Sequence, residues 1–295
     1  MRQYCRNLHS TAIVLVLFLV VSTAAGADDL QQHLRDQYQG KTLLLRGFYD
    51  GVALRYDSTG ALRGSATPGD WTIAGVVQLD DVHLSGSHLT IKARRLVVLN
   101  SHRVLFANAP KSKNEIPSLY IYADLGVQNP TPDQLNATMS KIFLTQEDDF
   151  AALVPDYWKP CVRAAQLGKD PYCHFSPEFL SIPGAQSSDH TTPAIPLNGP
   201  SPHFGPGVKP PRQIFAPEPS FSELARQAKY EGTVILGLTV DEEGLTKDVH
   251  ITAPLGYGLD EKAVQAVQTW KFKPAEKNGQ PMQLQFEVEV SFHVN

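Results

Sequence analysis

Apolar and polar residues alternate most strictly at the end of the chain, where Leu284, Phe286, Val288, Val290, Phe292 and Val294 interleave with Gln283, Gln285, Glu287, Glu289, Ser291 and His293. A period of two places the first set on one face of a strand and the second on the other, so the pattern predicts a strand with one buried and one wet side. Thr233 to Val240 repeats the pattern with Val234, Leu236, Leu238 and Val240, and Asp241-Glu242-Glu243-Gly244 turns the chain into Leu245 to Thr252. That is a hairpin with one apolar side. Short helices are predicted over Ser222 to Lys229 and about Leu259 to Thr269, which makes the order helix, strand, turn, strand, helix, strand. Trp270 and Phe272, two apart, share a face and are expected to fill the core between helix and sheet.

Upstream, β-like runs crowd between Lys41 and Asp124: Leu43 to Tyr49, Val52 to Tyr56, Trp71 to Leu79, Leu89 to Ala93, Leu96 to Leu99, Val104 to Ala107 and Leu119 to Tyr122. Asp57-Ser58-Thr59-Gly60 and Thr67-Pro68-Gly69-Asp70 separate some of them as turns. The expectation is a small antiparallel sheet or barrel, with Trp71, Ile73, Gly75, Val77 and Leu79 on the core side of one strand. Thr131-Pro132-Asp133-Gln134 then combines an N-cap, a first-turn proline and a capping-box glutamine, so a helix starts there with Leu135, Met139, Ile142 and Phe143 inward. Thr145 and Asp148 restart a second helix carrying Phe150 and Leu153. Residues 183–212 hold Pro183, Pro193, Pro196, Pro200, Pro202, Pro206, Pro210 and Pro211 among small polar residues, a spacer that cannot bury a core. Extended as polyproline II, it would reach roughly 90 Å.

The C-terminal stretch resembles the C-terminal domain of TonB-family energy transducers. Pro219-Ser220-Phe221 precedes the first helix, Glu231-Gly232 opens the first strand and Gly244 marks the turn. Trp270-Lys271-Phe272-Lys273-Pro274 and Asn278-Gly279-Gln280-Pro281 then lead into the long last strand. The resemblance implies an antiparallel sheet with two helices on one face, and a receptor segment docking along the last strand, flanked by Gln283, Gln285, Glu287, Glu289 and Ser291. Ser222 departs from the family, which has a proline there, and so does a whole domain placed ahead of the proline-rich spacer. Family members also carry a serine and a histidine in a membrane anchor that couples to a proton-driven motor. Here His9 and Ser10 lie before the apolar run, so that role does not transfer.

Arg2, Arg6 and His9, an apolar run from Ala12 to Val21 and Ala25-Gly26-Ala27 read as a secretory signal peptide, with a retained membrane anchor as the alternative. A span needs roughly 20 apolar residues, more than this run offers. Removing residues 1–27 would take Cys5 with it and leave Cys161 and Cys173, twelve positions apart, which in an exported chain predict a disulfide. A metal site on these cysteines and His174 lacks a fourth local ligand. The net charge of -4, with 8 Lys and Arg against 12 Asp and Glu in residues 212–295, disfavours nucleic acid. There is no nucleophile elbow, P-loop, dinucleotide fingerprint or His-Glu-x-x-His, so neither an enzyme nor a cofactor is expected. Asp80-Asp81 and Glu242-Glu243 read as solvated turn acids. His190 and His203 sit in the spacer, without a rigid frame for a metal.

The expected organisation is α+β: signal peptide or anchor over 1–27, β-rich domain of unknown function over 28–125, helical extension over 126–182, linker over 183–212, and a TonB-like domain over 213–295 that folds alone. Two functions fit it. One is a TonB-like periplasmic component that grips outer-membrane receptor segments by strand addition, engaging an inner-membrane motor if its N-terminus is retained in that membrane. The other is a soluble periplasmic adaptor uncoupled from any motor. Monomer and homodimer both stay open.

Overall fold

The computed structural model describes residues 21–100, 104–108, 118–168, 172–173, 175–186 and 206–294. Most of the expected signal peptide, His174, and the part of the spacer holding His190 and His203 lie outside these residues. Among the described residues no helix is long and apolar enough to cross a membrane.

The N-terminal half opens with helix α1 (Val21–Tyr38), followed by β1 (Thr42–Leu44), β2 (Ala53–Tyr56), β3 (Leu62–Arg63), the one-turn α2 (Trp71–Ala74), β4 (Val76–Ser85), β5 (His88–Asn100), β6 (Val104–Asn108) and β7 (Leu119–Asp124). These strands form one seven-stranded sheet in the order β1-β4-β5-β7-β2-β3, with β6 paired to the far half of β5. It is antiparallel except for β2 against β7. The stretch expected as a strand from Trp71 to Leu79 divides instead: Trp71–Ala74 is helical and the strand begins at Val76. The reason is distant in sequence. Ile73 and Ala74 N–H groups close onto the Asp70 carbonyl, and the buried Arg95 guanidinium donates to the carbonyls of Ala74 at 2.7 Å, Tyr49 at 2.6 Å and Gly51 at 3.1 Å. A buried cation satisfied by three carbonyls holds the bend in place.

Helix α3 (Pro132–Ile142) forms with the capping box intact, Thr131 and Gln134 bonding reciprocally, and it buries Leu135, Met139 and Ile142. They join Leu34 of α1 with Leu54, Leu79, Ile91 and Ile121 of the sheet in an apolar core. Next come α4 (Phe150–Leu153), a tight turn at Asp156–Trp158, α5 (Lys159–Gln166) and α6 (Pro177–Leu180). Phe150 is fully buried, but Leu153 is 37% exposed because α4 stops after one turn. Arg46 grips Asp148 through two 2.7 Å hydrogen bonds and ties this segment back to the sheet. Cys161 and Cys173 are joined as a disulfide, their Cα atoms 5.3 Å apart.

The C-terminal half runs β8 (Val208–Lys209), β9 (Arg212–Phe215), α7 (Glu223–Ala228), β10 (Gly232–Val240), β11 (Thr246–Ala253), α8 (Leu259–Val267), β12 (Lys271–Lys273), β13 (Ala275–Lys277), β14 (Gln280–Met282) and β15 (Leu284–Phe292). The central sheet has the order β11-β10-β15; β9 pairs with β12, and β8 joins β13 and β14. The end of the proline-rich stretch is thus part of the fold rather than bare spacer. Ser222 caps α7, its hydroxyl accepting from Ala225 N–H, so the departure from proline leaves the helix entry intact. Gly244 sits at φ +83°, and a Cβ there would lie 1.9 Å from the Phe272 carbonyl oxygen, so glycine is required on both counts.

A second core joins the two halves. Trp71 meets Phe150, Trp158, Phe175 and Phe179 edge-on at centroid distances of 4.9 to 6.3 Å. The same cluster continues through Cys161 and Cys173 to Val234, Leu236, Leu238, Leu259, Val264 and Phe292. Backbone contacts cross the same boundary, where Leu99 bridges Gly256 and Tyr257 N–H donates to the Val98 carbonyl at 3.2 Å.

Candidate partner-binding edge

The last strand is built as its alternation predicts. β15 pairs with β10 over nine residues without a register shift, from Gly232 opposite Phe292 to Val240 opposite Leu284. Its apolar face is anchored at both ends by aromatic pairs, Phe286 with Phe272 at 5.7 Å and Phe292 with Phe221 at 5.5 Å. Gln285, Glu289 and Ser291 are exposed and Glu287 half-buried on the other face, with Gln283 exposed just ahead of the strand. Glu287 stands opposite Gly237, and on the far side of Gly237 the His250 ring lies where a side chain would be, its Nε2 2.5 Å from an added Cβ. Ser291 meets Thr233 through their hydroxyls at 3.0 Å.

A three-stranded sheet has two edges, and here they differ. The tight turn at Asp156–Trp158 and helix α5 pack against β11, with Cys173 Sγ 3.1 Å from the Thr252 carbonyl oxygen. β15 has β10 on one side and, among the described residues, no strand on the other. Nine residues at about 3.3 Å each make an edge roughly 30 Å long, whose outward N–H and C=O groups are a template for another strand. From the sequence, Gln283 to Val294 could equally have been a strand paired on both sides, and nothing there showed that α5 and the segment disulfide-bonded to it pack against β11. The cysteine pair marked a constraint there without naming what it constrains. Among the described residues no group of three or more His, Cys, Asp or Glu side chains is arranged to hold a metal.

The family model for the Gram-negative bacterial TonB protein C-terminal region matches residues 217–294, which contain this sheet and both of its helices. Those residues are a TonB C-terminal domain. A curated relative, the protein tonB2 of Pseudomonas aeruginosa, is 30% identical over 83 residues, covering 28% of this chain and 31% of that protein. The chain therefore spans about a third of the relative's length. Among solved structures, the solution NMR structure of the Pseudomonas aeruginosa TonB C-terminal domain is similar at 19% identity, covering 30% of this chain and 89% of that one with a TM-score of 0.25. The N-terminal half lies outside the residues that the family model matches.

Proposed function

We propose that the TonB C-terminal domain takes an extended segment of an outer-membrane receptor as an added strand along β15, in energy-coupled transport across the outer membrane. The supporting observation is the asymmetry of the sheet: α5 and the Asp156–Trp158 turn pack against β11, whereas β15 has, among the described residues, no strand on its outer side. In strand addition the backbone ladder supplies most of the affinity, and alternate side chains select the partner. Gln283, Gln285, Glu287, Glu289 and Ser291 are the side chains that flank such a segment, so their individual truncation has small effects. The function belongs to the periplasm if the leading segment is removed, or to the periplasmic side of the inner membrane, within reach of a motor, if it is kept.

Titrating the isotope-labelled full chain with a receptor-segment peptide tests this reading. Amide shifts should concentrate on β15. Glu289→Pro, with its far-ultraviolet spectrum retained, should weaken binding more than tenfold, and Glu289→Ala less than about threefold. Shifts confined to other elements, or equal affinities for the two variants, would remove β15 as the docking edge.

One observation favours the second reading, a periplasmic adaptor without a motor. The N-terminal half and the segment bearing the Cys161–Cys173 disulfide share a core with the TonB domain, so the domain is not simply hung at the end of a free spacer. Mass spectrometry of the protein's N-terminus from its native cell separates the readings: a start at Asp28 supports the adaptor, and an intact N-terminus in the membrane fraction supports the transducer.

A further inference from the structure

The joint between the halves carries carboxylates where an apolar contact would be expected. Asp260 and Glu261, in the first turn of α8, are both essentially inaccessible to solvent. Asp260 is well held, accepting from Leu255 N–H at 2.6 Å and Gly256 N–H at 2.7 Å. Glu261 is only half satisfied. Its Oε1 accepts from the Trp158 indole at 3.0 Å, while its buried Oε2 has no partner. A third acid comes from the N-terminal half: Asp70 Oδ2 lies 3.0 Å from where a Cβ on Gly258 would sit, at the head of α8. The neighbouring Gly258 N–H donates across the joint to the Thr72 hydroxyl at 3.1 Å.

The other ionisable groups around the joint supply little compensation. Tyr157 of the tight turn and Tyr230 after α7 face the acids, and burial raises both phenols well above their usual range, with the nearby carboxylates adding to the shift. Tyr257 is raised by burial alone. Lys262 acts on Asp70, which Asp50 opposes, and Arg95 is engaged by carbonyls and the charge of Asp50. Among the described residues no Lys, Arg or His forms an ion pair with Asp260 or Glu261. A carboxylate with an unpartnered oxygen in such a place is tolerated only when neutral.

We propose that this joint is a proton-operated latch: with Asp260 and Glu261 neutral the TonB domain is held against the N-terminal half, and ionisation of the pair releases it. Burial pushes Asp260 up to about 7, with the Asp70 charge adding to it against the opposing backbone hydrogen bonds. Burial first, then Asp260 and Asp70, also holds Glu261 well above the usual carboxylate range. Both acids bind protons more tightly docked than free, so docking is fully favoured at low pH and weakens as pH rises through the docked-state values. The latch does not rest on strand addition at β15, since none of its residues belongs to that strand.

The test is hydrogen exchange of the full chain between pH 5.5 and 8.5, corrected for intrinsic rates. Tyr257 and Gly258, whose amides donate across the joint, should lose at least tenfold in protection over this range, while Ile91 and Leu79 in the N-terminal sheet keep theirs. The loss should shrink in Glu261→Gln and vanish in the Asp260→Asn/Glu261→Gln double variant. A flat wild-type profile, equal loss of protection in the N-terminal sheet, or a double variant with the wild-type profile would each overturn the latch. If the variants do not fold, the wild-type profile decides alone.

Discussion

The two cores are built from different materials. The one under the N-terminal sheet is mainly aliphatic and holds no carboxylate, with Leu54, Leu79, Ile91 and Ile121 closed over by Leu135, Met139 and Ile142. The one at the joint packs tryptophan and phenylalanine as tightly, then places Asp260 and Glu261 against the Trp158 indole. Apolar burial contributes the same stability at any pH, whereas buried acids make stability conditional on protonation. The N-terminal sheet is thus a fixed platform, and the joint is a contact whose strength depends on conditions. A TonB domain attached in this way has a docked state that solvent can adjust.

The largest break in the comparison should come from Trp158→Ala. It opens a cavity beside the Trp71 ring and removes the indole N–H that Glu261 Oε1 accepts, so a loss of about 5 kcal/mol is expected in denaturant unfolding at pH 6. Titration should do nearly as much without mutation. Asp260 ionises near 3.8 when unfolded but only at about 7 when folded, so stability fully present below pH 4 should fall as pH rises through 7, by on the order of 4 kcal/mol. Asp57, held at about 2 first by the Thr59 hydroxyl, acts in the opposite sense and only on the acid side of pH 4, which keeps the two limbs of the melting curve apart. Replacing both Cys161 and Cys173 by alanine should cost about 3 kcal/mol and loosen the cover over β11, read as faster exchange of β11 amides. The smallest effect sharpens the contrast: Ile91→Val in the apolar core should cost about 1 kcal/mol, and by the same amount at pH 5 and pH 8. If that cost varied with pH as the joint does, the distinction between the cores would fail.

Local pattern was enough for much of the molecule because the signals act over a few residues. Alternation along Leu284–Phe292 fixes which face of β15 is wet, and Thr131 with Gln134 fixes the start of α3, since a capping box is closed by residues three apart. The turn at Gly244 and the core positions of Trp270 and Phe272 were legible for the same reason. Other features depended on partners far along the chain. Trp71 to Leu79 alternates like one strand, but Arg95 draws the carbonyl of Ala74 into a bend, which no local period records. Asp260 and Glu261 look like ordinary first-turn acids, favoured there by the helix dipole. They became buried acids because α8 starts against Thr72, Val98 and Trp158, residues that are 186 to 103 positions away. In the same way the alternation made β15 a strand, but its place at the end of the order β11-β10-β15 was decided by the pairing of the assembled sheet. Which groups lose water is set by what packs over them, and that is a property of the assembled chain rather than of any segment of it.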